Sequence, residues 1–218
     1  MVVLIDNGHG KDTKGKQSPI LKGGDVDVWD IYKEGDRFKE WKYTRIIAKD
    51  VVDILKSRGV DARLIVEETN DVSLGTRVKR INAVCDKVGA KNVIAVSIHA
   101  NAVGDGTMWM KGQGWECYTT PGKTKSDDLA SVFYDRAERN FEGRKIRKDT
   151  TDGDPDKEAN FYIIKNTKCP AVLTENFFYD NKDDLRYITS EEGHHKVVLT
   201  HVEAIEKYIA KVEGKEEI

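Results

Sequence analysis

The chain has 218 residues, of which 34% are charged and 39% apolar, and its formal net charge is -2 at pH 7. This is the composition of a globular chain with a well-covered surface; it leaves no basic footprint for nucleic acid, and no apolar run is long enough to be a transmembrane segment. With no Pro/Ser-rich linker, repeat or low-complexity tract, one domain over residues 1–218 is expected, and with no basic leader ahead of Val2 the expected chain has no signal peptide and is cytoplasmic as synthesised.

Val2-Val3-Leu4-Ile5 is an apolar run that stops at Asp6-Asn7-Gly8-His9-Gly10. It reads as a strand ending in an imidazole, flanked by two glycines that let backbone come close. Lys11 to about Lys39 is polar and rich in Gly and Lys, too long for a simple connection, and reads as a functional loop or a small hairpin. Ile46, Ile47, Val51, Ile54 and Leu55 recur at helical spacing, which predicts a helix to about Ser57 with Gly59 as its stop. Ala62 to Val66 reads as a short strand. Ser73 caps a second helix to about Cys85, with Leu74, Val78, Ile81 and Val84 as its inner stripe. The apolar run Val93 to Ile98 is a strand that ends in His99.

Gly104 to Gly114 reads as a flexible loop carrying Met108, Trp109 and Met110, and Trp115 to Tyr118 as a strand. A helix from about Ser126 to Phe141 buries Leu129, Val132, Phe133 and Ala137. Gly143 to Asn160 is expected to be irregular. Phe161 to Ile164 and Ala171 to Thr174 read as closing strands, and an amphipathic helix from about Gly193 to Val212 is followed by a frayed tail. Strands alternating with helices predict an α/β fold with a twisted, mostly parallel (mixed) sheet flanked by helices on both faces.

Three strands thus deliver His9, His99 and Glu175 at or near their carboxyl ends, where open α/β sheets bind ligands. A hydrolytic zinc site uses three His or carboxylate ligands and leaves a fourth position for water. His9 and His99 supply two, and Glu34 and Glu40 are the nearest carboxylates. Glu40 is preferred because a helix fixes its register, although a first-turn acid could serve only the helix dipole, worth about 0.3–1 kcal/mol. Glu175 closes the otherwise uncharged run from Ala171, so it must be paired, protonated or in use; beside a metal it could carry a proton. Asp6 and Asn101 are candidates to orient a ligand from behind, and Trp109 and Arg147 to touch substrate. His194, His195 and His201 lack the spacing of a helical metal site and are read as surface residues. Cys85, Cys117 and Cys169 form no C-x-x-C pair and are read as buried, inert thiols.

The chain resembles the zinc-dependent N-acetylmuramoyl-L-alanine amidases of the type-3 amidase family. The matching pieces are Ile5-Asp6-Asn7-Gly8-His9-Gly10, Glu40 with Ala48, Ser73-Leu74 with Arg77 and Asn82, Ser97-Ile98-His99-Ala100-Asn101, Gly114-Trp115-Glu116-Cys117-Tyr118, and Cys169-Pro170-Ala171-Val172-Leu173-Thr174-Glu175-Asn176-Phe177-Phe178 with Asn181. They stand in the family's order and cover nearly the whole chain, which is most similar to the small single-domain versions carried by phages and mobile elements. The resemblance implies a phosphorylase/hydrolase-like zinc amidase fold, Zn2+ bound by His9, Glu40 and His99, and Glu175 as catalytic acid/base. It also implies hydrolysis of the amide between the lactyl group of N-acetylmuramic acid and L-alanine, with peptidoglycan or a muropeptide as substrate. The alternatives are a zinc peptidase cutting within the stem peptide, a cytosolic muropeptide-recycling amidase, and an inactive wall-binding module.

Overall fold

The computed structural model describes residues 1–23, 25 and 32–215. The first strand, β1 (Val2–Asn7), is followed by helix α1 (Glu40–Ser57), β2 (Asp61–Leu64), α2 (Leu74–Val88), β3 (Val93–Asn101) and β4 (Glu116–Thr119). After these come α3 (Lys125–Asn140), β5 (Lys157–Glu158), α4 (Tyr162–Lys165), β6 (Ala171–Phe178), α5 (Lys182–Thr189) and α6 (Glu191–Glu213). The strands form one six-stranded sheet in the order β2-β1-β3-β6-β4-β5. Within it, β2, β1, β3 and β6 run parallel, β4 is antiparallel to β6, and β5 is parallel to β4. The expected mixed α/β sheet is therefore present.

Alternation along the strands sends successive side chains to opposite faces. Val3 and Ile5 of β1, Ile94, Val96 and Ile98 of β3, and Val172 of β6 pack with α1, α3, α5 and α6. Leu4, Val93, Ala95, Ala171 and Leu173 pack on the other face with α2 and α4. That second cover is short. It reaches only the amino-terminal half of the parallel strands, and past it the same face carries Asp6, Ser97, His99 and Glu175.

Several elements differ from the sequence expectation. The expected strand at 161–164 is instead the extended Phe161 followed by the helical turn α4, because Ile163 and Ile164 both dip into the core beside α2, and four apolar residues carry no period that separates helix from strand. Helix α5 was not expected at all: it is short and charged, with only Leu185 and Ile188 as aliphatic anchors, and it is started by the Asn181 side chain accepting from the N–H groups of Asp183 and Asp184. Strand β6 runs on to Phe178, held between β3 and β4, so Glu175 lies inside it rather than at its end. In α2 the inner stripe contains Arg77, Val78, Ile81 and Cys85, while Leu74 is exposed. The long segment after β1 doubles back as a hairpin-like excursion, with the N–H of Ser18 bonded to Phe38 O and that of Leu21 to Asp36 O. Part of this segment, and residues 216–218 of the expected frayed tail, lie outside the described residues. Segment 143–160 is irregular as expected, apart from β5. All three cysteines are free and buried, and among the described residues no helix is long and apolar enough to cross a membrane.

His201 is a correction of another kind. It is 0% exposed, not a surface residue. Its Nδ1 lies 2.8 Å from Val197 O, which can only accept, so Nδ1 carries the proton and Nε2 accepts from the Thr174 hydroxyl at 2.9 Å. Burial holds this imidazole neutral, with its pKa down to about 4. The unfolded chain takes up that proton near pH 6.5, so the stability that His201 confers is present above about pH 6.5 and is lost as pH falls towards 4. Urea titrations at pH 7 and pH 4.5 should show a smaller loss of stability in His201→Gln than in the parent, by a few kcal/mol at most.

Candidate metal centre

Two glycines let His9 approach the end of β3. A methyl group on Gly8 would sit 2.4 Å from His99 Cε1, and one on Gly10 would lie 2.0 Å from the backbone N of Asp71. His9 itself takes the left-handed conformation, with φ of 62°, which is unusual for a residue with a side chain. Its carbonyl is held by two guanidinium groups, from Arg45 Nη1 at 2.8 Å and Arg77 Nη2 at 3.3 Å. Arg77 is buried and also donates to Asn7 O at 2.6 Å and to Asp6 Oδ1 at 2.6 Å, while Ser97 Oγ donates to the second oxygen of Asp6 at 2.6 Å. Asp6 therefore acts on the turn through Arg77 and makes no direct contact with either imidazole.

Glu40 is the first residue of α1. Its N–H donates to Lys16 O, and its side chain meets His9, His99 and the N–H of Ala100. Glu40 Oε2 lies 3.3 Å from His9 Nε2 and Oε1 lies 3.0 Å from His99 Nδ1; the side chains of Glu40, His9 and His99 are 1%, 19% and 16% exposed. Burial would raise the Glu40 pKa, but the hydrogen bonds and charges of the two imidazoles outweigh it and hold the carboxyl well below the usual range. Glu34, the other candidate, is exposed in the preceding loop.

One nitrogen or oxygen from each of His9, Glu40 and His99 lies within 4.8 Å of the others, so the three could hold a metal ion. The donor set fits zinc. Two imidazole nitrogens and a carboxylate oxygen are donor types that zinc takes in hydrolytic sites. Glu40 Oε2 is buried and, apart from its 3.3 Å approach to His9 Nε2, has no other partner, which leaves it available to a cation.

Glu175 is paired in register with His99 on β3 and with Glu116 on β4, so all three point to the same sheet face. Its Oε2 is buried and lacks a hydrogen bond. Burial pushes the carboxyl up to about 8; His99 opposes this, and the charges of Glu40 and Glu116 add to it. An acid in that state exchanges its proton near neutral pH.

Residues 3–207 match the N-acetylmuramoyl-L-alanine amidase family. The chain belongs to that family. It is 29% identical over 208 residues to the endolysin of Bacillus phage SPP1, an alignment covering 94% of this chain and 64% of that protein. It is 25% identical over 206 residues to the N-acetylmuramoyl-L-alanine amidase CwlM of Bacillus licheniformis, covering 93% and 66% respectively. The chain thus spans about two thirds of the length of these two relatives. Among solved structures, the amidase AmiC2 of Nostoc punctiforme superposes with a TM-score of 0.71 at 25% identity, covering 96% of this chain and 97% of that one.

In this family member the remaining candidates fall into two groups. Asn101 and Arg147 do not reach the His9 cluster; both bind Glu116, through Asn101 Nδ2 at 2.6 Å and Arg147 Nε at 2.6 Å. Trp109 packs on the core beneath Lys182, whose Nζ is 5.0 Å from the ring centroid. Sequence reasoning gave no role to Glu116, Arg45, Arg77 or Lys157. Glu116 carried the same signal as Glu175, a lone charge in an apolar strand, and Arg77 stands within a helical apolar stripe. Asn176 was likewise given no role, although its Nδ2 donates to His99 O at 2.8 Å and fixes the strand behind that ring. Because the Gly8 position has no room for a methyl group, Gly8→Ala should displace the His99 ring and weaken the binding of an added divalent metal ion by about 10–100-fold. Competition with a chromogenic chelator would measure this, with circular dichroism checking that the fold persists.

Proposed function

We propose that this chain is a zinc-dependent amidase that hydrolyses the bond between the lactyl group of N-acetylmuramic acid and the L-alanine of the peptidoglycan stem peptide. The observation that carries this reading is the His9, Glu40 and His99 cluster with Glu175 one strand away, in a chain of this family. His9, Glu40 and His99 would hold the ion, with Arg77 and Arg45 fixing the turn that presents His9. Zinc, when bound, supplies a Lewis acid and lowers the pKa of water towards about 7.

The chain's own contribution is proton management. Glu175 has a buried oxygen with no partner, free to receive the proton of the attacking water. As the carbon–nitrogen bond breaks, the same carboxyl returns that proton to the departing alanine nitrogen, so that an amine leaves rather than an amide anion. A carboxyl pushed upward by burial is well suited to the second step. The similarity to a phage endolysin favours the wall polymer over soluble muropeptides as substrate.

Zinc-loaded protein incubated with peptidoglycan should release stem peptides that begin with L-alanine, identified by mass spectrometry, and a chelator should abolish the release. New ends inside the peptide would instead indicate a peptidase. Clearing of intact sacculi, followed by turbidity, supports action on the wall, whereas cleavage of soluble fragments alone supports recycling. Glu175→Gln should retain stoichiometric zinc and lose about 100-fold or more of kcat; full activity in that variant would exclude the acid/base role. His9→Ala and His99→Ala should lose the metal, as measured by elemental analysis.

A further inference from the structure

Beyond Glu175 the polar row continues across the sheet. Glu116 faces Glu175 from β4, and Tyr118, two residues along on the same face, pairs with Lys157 of β5. The buried Glu116 carboxylate is saturated: Oε1 accepts from Asn101 Nδ2 at 2.6 Å and Tyr118 OH at 2.9 Å, and Oε2 accepts from Arg147 Nε at 2.6 Å and Lys157 Nζ at 2.9 Å. Two cations share one carboxylate, so the group carries a surplus positive charge. Arg147 commits only Nε, and among the described residues its two terminal nitrogens donate to no protein acceptor. Its guanidinium lies 5.3 Å from the Phe178 ring centroid and the Lys157 ammonium lies 5.3 Å from that of Tyr118, so aromatic faces fix both. Their side chains remain 32% and 26% exposed.

A planar guanidinium braced on one edge and open on the other is built to receive a carboxylate through paired N–H donors. We propose that Arg147 and Lys157, braced on Glu116, form a carboxylate-binding subsite that selects stem peptides with an ionised acidic residue immediately after the L-alanine. This rests on the amidase reading, because it places the scissile amide between the His9 cluster and Glu175. Strands are spaced about 4.8 Å apart, so β4 and β5 stand roughly 5–10 Å beyond Glu175. One extended residue advances about 3.5 Å, and an acidic side chain or main-chain carboxylate adds the rest. The sugar side of the substrate offers hydroxyls and amides, which would not require two cations.

Two soluble muropeptides that differ only at the residue after L-alanine, one with its carboxylate free and one with that group as a carboxamide, test the proposal. The parent should prefer the free carboxylate by about tenfold in kcat/KM, through KM, and the preference should shrink as salt is raised. Arg147→Gln and Lys157→Met should each bring the ratio to within about twofold, with thermal melts confirming that they fold. Equal kcat/KM for both substrates in the parent overturns the subsite while the amidase reading stands, and so do variants that slow both substrates by the same factor. Calorimetry on zinc-loaded Glu175→Gln gives a readout independent of turnover. If the parent cleaves neither substrate but Glu175→Gln still binds the free-carboxylate form about tenfold more tightly, the amidase reading falls and the subsite stands; equal binding removes the subsite as well.

Discussion

A carboxylate taken almost wholly out of water must find polar partners, and Glu40 finds them in the nitrogens of two imidazoles. This pairing fixes the relative position of three parts of the chain that are remote in sequence: the turn after β1, the first residue of α1 and the end of β3. Each is then held from behind. Arg77 and Arg45 hold the His9 carbonyl, the backbone N–H of Ala100 donates to Glu40 Oε1 at 3.3 Å, and Asn176 grips the carbonyl of His99. The left-handed His9 backbone belongs to the same device. A residue with a side chain adopts that conformation at some energetic cost, and the two guanidinium groups on its carbonyl offset it.

The sheet distributes stability and chemistry along a single face. Its amino-terminal half is covered by α2 and α4, with Leu4, Val93, Ala95, Ala171 and Leu173 beneath them. Two residues further along the same strands, the side chains become Asp6, Ser97, His99 and Glu175. The opposite face is mainly apolar, with Thr174 satisfied by His201 and Asn176 by Trp115, and it is covered by α1, α3, α5 and α6. Because residue spacing alternates by two, the core residues that set the register also aim the polar ones. A slip of one residue in β6 would carry Glu175 into the core with α3 and α6.

Glu116 shows how a neighbouring strand changes the character of a site. Its charge adds to the upward push on the Glu175 carboxyl, and it anchors two cations at the far end of the row. The site is thus polarised across the strands, with acidic and imidazole groups over β3 and β6 and basic groups over β4 and β5. An extended peptide lying across the strands would meet these groups in turn.

The strand, turn and helix that carry His9, Glu40 and His99 were legible in the sequence, because apolar runs ended by Gly-His-Gly or His-Ala-Asn, and a helical stripe with a fixed register, are local signals. The buried state of the cysteines followed from local pattern in the same way. Other features were not legible. The helical turn at 162–165 and helix α5 are too short to show a period, His201 is buried only because α6 lies against Thr174 of β6, and the length of β6 is set by partners on both sides. The roles of Arg77 and Glu116 arise from contacts across 71 and 31 residues, to Asp6 and Arg147. The sequence by itself determined which side chains end which strands, since that depends on neighbours within a few positions. Only the tertiary structure decided which charges meet, because parallel pairing joins segments with no local memory of one another.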